Sequence, residues 1–185
     1  MLRDNVRNRR RIERSYRQAL GVARHDIVLA NAYFLPGRKF RKALSHAAQR
    51  GVRVRLLLQG RYEYFLQYHA VRALYDQLLA AGVEIYEYQA SFLHAKVAVV
   101  DDHWATVGSS NIDPLSLLLA REANVVVRDK AFAHTLRQQL DLALHEQSRR
   151  VDPLRHAQRS LADRLLDWLA LLSMRALLFM IGKRY

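Results

Sequence analysis

The run LHAKVAVVDDHWATVGSSN, residues 93–111, sets His94 two residues before Lys96, Asp101 five residues further on, and a Gly-Ser-Ser-Asn turn after that. Cleavage of a phosphodiester needs a nucleophile, positive charge against the phosphate oxygens, and hydrogen-bond donors that follow the charge into the transition state. His94 offers a ring nitrogen that can attack or carry a proton near neutral pH, and Lys96 offers the charge. Ser109 and Asn111 offer neutral donors for phosphate from a turn. Glu122, which opens the run EANVVV, is the candidate to hold the other ring nitrogen of His94, because a base oriented by a carboxylate recurs in such sites. Asp101 opens a tight turn, where aspartate is favoured for local backbone hydrogen bonds. It is therefore a candidate for a structural role as well as a catalytic one. No cluster of Cys, His and carboxylates has metal-ligand spacing, so the expected chemistry uses neither a metal nor another cofactor. His69, in QYHAVRALY, reads as a helix-surface residue outside the site.

These groups need elements to hold them. In a strand successive side chains point to opposite faces, so a strand over LHAKVAVV puts His94 and Lys96 on one face and Ala95 and Val97 on the other. Ahead of it, an arginine-rich helix carries Ile12, Tyr16, Ala19, Leu20 and Ala23 at helical spacing, and DIVLANAYFLPG follows as a strand ending at a Pro-Gly turn. RKFRKALSHAAQRG reads as a helix stopped by Gly51, VRVRLLLQG as a strand, and Phe65 to Ala81 as a helix closed by Gly82. VEIYEY, LHAKVAVV, WATVGS and EANVVV are four further strands, and KAFAHTLRQQLDLALHEQ is a long helix. Helical crossovers favour parallel pairing, while the short connection at Asp101 favours an antiparallel pair. The expectation is an α/β layered fold with a mixed sheet flanked by helices.

The composition is compatible with that frame. With 185 residues, 51% of them hydrophobic, the chain can bury a substantial core. Thirty Lys and Arg against seventeen Asp and Glu give a net charge of +13, which favours an anionic partner, either nucleic acid or an acidic membrane surface. The absence of cysteine excludes disulfides and thiolate chemistry. The N-terminal stretch lacks the uninterrupted apolar segment of a secretory signal, so export by that route is not expected.

The spacing His94-x-Lys96-x4-Asp101-x6-Gly108-Ser109-x-Asn111 resembles the HKD signature of the phospholipase D superfamily. The resemblance extends through NAYFLPG, AAQRGVRVRLLLQG, the motif region to EANVVV, and RLLDWLA, which look like the C-terminal half of bacterial cardiolipin synthases, particularly the B type. It implies metal-free transfer of a phosphatidyl group from a phospholipid donor to phosphatidylglycerol through a phosphohistidine. It also implies roles for His94, Lys96, Asp101 and Glu122 in catalysis and for Ser109 and Asn111 in phosphate binding. The implied setting is the cytoplasmic face of the bacterial inner membrane, with peripheral attachment.

One departure from the family is plain: it carries two HKD motifs, and none of the other seven histidines here is followed two residues later by lysine. Displacement at phosphorus requires one group to attack while another protonates the leaving oxygen. The second histidine must come from a missing N-terminal HKD half or from a second copy in a homodimer. The competing expectation is a homodimeric phosphodiesterase acting on nucleic acid. A boundary is expected near Pro153, dividing an HKD domain, 1–152, from a C-terminal amphipathic helix, 153–185. In that helix Ser160, Asp163, Arg164, Asp167 and Arg175 form a polar sector, with leucines, Trp168, Met174, Phe179 and Ile181 around the rest. It reads as lying in a membrane interface or packing on protein, and too interrupted by charge to span a bilayer.

Overall fold

The computed structural model describes residues 2–3, 11–113 and 122–180, with side chains described in 11–113 and 122–177. Its order is β1 (Leu2–Arg3), α1 (Arg11–Val22), β2 (Asp26–Asn31), α2 (Arg38–Gln49), β3 (Arg53–Gln59), α3 (Phe65–Arg72), α4 (Tyr75–Ala80) and β4 (Glu84–Tyr88). There follow β5 (Lys96–Val100), β6 (Trp104–Gly108), β7 (Glu122–Val127), α5 (Lys130–Glu146), β8 (Ser148–Arg150), α6 (Pro153–Ala157) and α7 (Leu161–Met180).

The strands form one mixed sheet in the order β1-β7-β6-β5-β2-β3-β4-β8. Helical crossovers make β2, β3 and β4 parallel, and the tight turn at Asp101 makes β5 and β6 antiparallel, as the connection lengths require. On one face Ile12, Tyr16 and Leu20 of α1, Phe40 and Leu44 of α2, and Tyr75 and Leu78 of α4 pack against Ile27, Leu29, Leu56, Ile85 and Trp104. On the other, Ala133, Leu140 and Leu144 of α5 cover Val28, Ala30, Leu57, Val99 and Ala105. Alternation along each strand feeds both cores, which is why 27–30 in β2 and 56–58 in β3 read as continuous apolar runs.

Three expectations change. The helix expected over Phe65 to Ala81 is two helices, because its apolar residues have two targets. Ala70 and Leu74 face Ala170, Leu171 and Met174 of α7, whereas Tyr75 and Leu78 face the main core, and the chain turns at Ala73 and Leu74 to serve both. The strand expected from Leu93 begins at Lys96. Leu93 N is bound instead by the Gln59 side chain (3.1 Å), and Ala95 O accepts from Ala32 N (2.9 Å), so the stretch before Lys96 is pinned outside the ladder. The polar sector assigned to the C-terminal helix includes one misplaced residue. Asp167 is buried, accepting from Arg159 and lying 2.7 Å from His69 Nδ1. His69 is accordingly a half-buried partner of α7 rather than a free surface residue. The apolar stripe left exposed on α7 is Leu161, Leu165, Trp168, Leu169 and Leu172. Of the residues assigned to that stripe, Phe179 and Ile181 lie outside the described side chains.

Candidate active site

The antiparallel insertion of β5 between β2 and β6 decides where the polar residues meet. Because β5 runs against β2, its first residue, Lys96, pairs with the last residue of β2, Asn31. Likewise the last residue of β6, Gly108, pairs with Asn124, two residues into β7. The ends of β2, β3 and β6 and the starts of β5 and β7 therefore share one edge of the sheet. Asn31, His94, Lys96, Ser109, Asn111 and Glu122 all lie at that edge.

His94 is exposed at the rim and Lys96 is buried below it, with Lys96 Nζ 3.0 Å from His94 Nε2. An ammonium can only donate, so this contact uses the lone pair on Nε2 and leaves the proton of a neutral ring on Nδ1. Burial pushes the Lys96 ammonium below its ordinary range, and the charge of Glu122 acts in the opposite direction.

Glu122 is buried at the start of β7 and accepts a hydrogen bond from Ser109 Oγ. Ser109 Oγ in turn accepts from Ala123 N (3.1 Å), and Ser109 N donates to Ala123 O (3.0 Å). The serine expected to face phosphate thus also fastens the carboxylate-bearing strand to the turn. Gly108 permits this approach. A Cβ at that position would lie 2.4 Å from both Ala123 O and the Asn124 side chain, a separation no side chain tolerates.

Sequence reasoning did not single out the amides that hold this edge. Asn31 Oδ1 accepts from Ile112 N (3.1 Å) and Leu35 N donates to Ile112 O (2.8 Å), tying the segment after Asn111 to the end of β2. Asn124, fully buried, accepts from Ser110 N (3.3 Å) and donates to Thr106 Oγ1 (3.3 Å). Gln59 holds Leu93, the residue before His94. A signal was present: Asn31 and Gln59 are polar amides directly after the apolar runs 27–30 and 56–58, at the same end of two parallel strands.

Asp101 lies elsewhere. It sits at the far end of β5, and its carboxylate accepts from the backbone amides of Arg24 (2.8 Å), His25 (2.9 Å) and Asp26 (2.9 Å). In this position Asp101 caps the start of β2. Asp101 and Asp102 both have positive φ, 50° and 52°, the left-handed turn conformation that aspartate tolerates better than most residues. Among the described residues no group of three or more His, Cys, Asp or Glu is arranged to hold a metal ion.

The sheet thus brings a His-x-Lys pair and a serine–carboxylate pair to the same strand ends. In fold the chain resembles Nuc from Salmonella typhimurium, a phospholipase D family member, with a TM-score of 0.63 at 21% identity over 75% of this chain and 90% of that one. It also resembles phosphatidylserine synthase from Haemophilus influenzae, with a TM-score of 0.69 at 11% identity over 90% of this chain and 44% of that one. Residues 16–143 match the family described as cardiolipin synthase, PLD-like domain, and the chain belongs to that family. Cardiolipin synthase B of Escherichia coli is 48% identical over 150 residues, which are 81% of this chain and 36% of the relative. The chain thus spans about a third of that relative's length.

Proposed function

We propose that this chain supplies one of the two HKD half-sites of a phosphatidyltransferase that makes cardiolipin from phosphatidylglycerol and a phospholipid donor. The observation that carries the reading is the Lys96–His94 contact at a sheet edge shared with Ser109 and Glu122, in a chain of the cardiolipin synthase family. In the first step a histidine nitrogen bonds to the donor's phosphorus and the bond to the departing alcohol breaks. The second histidine protonates that alcohol. In the second step the acceptor hydroxyl attacks phosphorus, the phosphohistidine bond breaks, and the acceptor's proton passes to the second histidine. A phosphate entering beside Lys96 draws the ammonium onto its oxygens and frees the His94 Nε2 lone pair. If the chain is the second half of a longer enzyme, His94 is the acid and base; in a homodimer one His94 takes each part. Asn111, with Ser109 beside it, completes the phosphate contacts from the turn.

Reaching a substrate that stays in the bilayer requires contact with the membrane surface. The exposed stripe Leu161, Leu165, Trp168, Leu169 and Leu172 on α7, together with the +13 net charge, supports peripheral attachment to an anionic leaflet, with the cytoplasmic leaflet the natural one. Among the described residues no helix is long and apolar enough to cross a membrane.

The test uses a complete site, either the homodimer or this chain joined to a second HKD half. With vesicles of phosphatidylglycerol it should form cardiolipin, and His94→Ala should abolish the product while leaving flotation with vesicles intact. Salt-sensitive cleavage of DNA with no lipid product would sink the proposal in favour of a nuclease.

A further inference from the structure

Beside the His94 edge lies an open cleft enclosing about 420 Å³, part of it continuous with solvent. Its floor is apolar, formed by Phe34, Leu58 and Tyr75, and its polar wall includes Tyr33, Gln59 and Glu63. Two of its wall residues are bonded to the chain on either side of the histidine. Gln59 Oε1 accepts from Leu93 N (3.1 Å), and Ala32 N donates to Ala95 O (2.9 Å). His94 is the residue between them, so the cleft wall is tied to the backbone on both sides of the reacting group.

The chemistry of the wall selects among occupants. Its two guanidinium groups are committed within the protein. Arg61 donates to Gln89 O (2.8 Å) and Ala90 O (2.7 Å), while Arg72 donates to Glu87 Oε1 (2.9 Å) and to Tyr68 Oη (3.3 Å). At the exposed rim, Glu63 accepts from Tyr33 Oη with both carboxylate oxygens at 3.1 Å, leaving further lone pairs toward solvent. Gln59 Nε2 is buried and has no hydrogen-bond partner among the described residues. Burial, reinforced by Glu63, pushes the Tyr33 phenol up to about 12, so it keeps its proton at neutral pH. A carboxylate, a phenol and an amide donor match the acceptors and donors of hydroxyl groups, and the Glu63 carboxylate disfavours a phosphate beside it.

We propose that this cleft, with Glu63 and Tyr33 as its determinants, is the subsite for the hydroxyl-bearing polyol headgroup of the acceptor. The phosphate-binding work falls to the Lys96 edge. The inference rests on the phosphatidyl-transfer reading and names where the second substrate's alcohol is held. Glu63 and Tyr33 act on specificity: they engage hydroxyls of the headgroup and aim another at phosphorus.

The test separates the subsite from the reaction. The full chain, labelled for NMR, is titrated with water-soluble glycerophosphoglycerol and, separately, with inorganic phosphate. Glycerophosphoglycerol should shift resonances of Tyr33, Gln59 and Glu63, whereas phosphate should shift those of His94 and Lys96. Glu63→Gln removes one charged hydrogen-bonding partner and should weaken glycerophosphoglycerol binding about tenfold while leaving the phosphate titration unaltered. Glu63 is exposed, so an unchanged amide spectrum away from the cleft verifies that the variant folds. Absence of cleft shifts with glycerophosphoglycerol, stronger shifts there with phosphate, or an unaltered titration in Glu63→Gln would each overturn the subsite. Cleft binding in a complete assembly that makes no phosphatidyl product would leave the subsite standing and overturn the transfer reading instead.

Discussion

Replacing Asp101 distinguishes a signature residue that builds the fold from one that does chemistry. Its carboxylate accepts three backbone amide hydrogen bonds, at 2.8, 2.9 and 2.9 Å, from Arg24, His25 and Asp26. A hydrogen bond to a charged acceptor contributes roughly 1.5–3 kcal/mol, but Arg24 and His25 are exposed and water replaces much of what they lose. The three together then contribute about 2–3 kcal/mol. Asp101→Asn keeps one acceptor oxygen and tolerates the left-handed backbone, so it should cost about 2 kcal/mol. Asp101→Ala removes every acceptor and adds about 1 kcal/mol of strain at φ 50°. Asp101→Gly relieves that strain, which fixes the order of stability as Asp, Asn, Gly, Ala. For a chain of this size a 2 kcal/mol loss lowers the melting temperature by roughly 4–8 °C. Thermal unfolding measures it, and phosphate titration of the His94 resonances measures the site. Asp101 is five residues from Lys96 along one strand, or about 16 Å, so phosphate binding should survive in every variant that remains folded. An Asp101→Asn protein with unchanged melting temperature and lost transfer activity would refute this reasoning.

Three further outcomes are expected. Lys96→Met removes a buried ammonium and should reduce phosphatidyl transfer by about a thousandfold while the melting temperature holds or rises, since a disfavoured charge has gone; retained transfer would contradict its role. Gly108→Ala forces a Cβ to 2.4 Å from the β7 backbone and should cost about 3 kcal/mol or more, read by urea unfolding, along with loss of the Ser109–Glu122 contact. His156, buried beside Tyr75 with Asp76, Arg159, Arg72 and Asp167 facing it, has its ordinary pKa of 6.5 lowered to about 4, by burial first and Arg159 second. The folded state therefore favours the neutral ring. Its contribution is complete above about pH 6.5 and is lost as pH falls toward 4, by about 3 kcal/mol in stability; His156→Gln should flatten that part of the stability profile.

Much of this protein was legible in one dimension because the relevant physics is local. Alternation of apolar residues, Gly51 and Gly82 after their helices, and the two-residue spacing of His94 and Lys96 depend only on neighbours along the chain, and they place six of the eight strands and the reactive pair. The family signature was equally local. What the chain order could not fix was partnership across distance. Asp101 and Ser109 are equally prominent in the signature, yet the antiparallel reversal of β5 sends one to the far end of the sheet and brings the other against Glu122, thirteen residues on. Asp167 fits a solvent-facing polar sector on a helical wheel, and only the docking of α7 onto α3 buries it between His69 and Arg159. Gln59 ends β3 and Ala32 follows β2, and nothing in their neighbours shows that they bind the residues on either side of one histidine until β2, β3 and β5 are laid side by side. A hydrogen bond is satisfied by whichever group the fold brings within about 3 Å, so the elements follow from the sequence and the pairings from the tertiary structure.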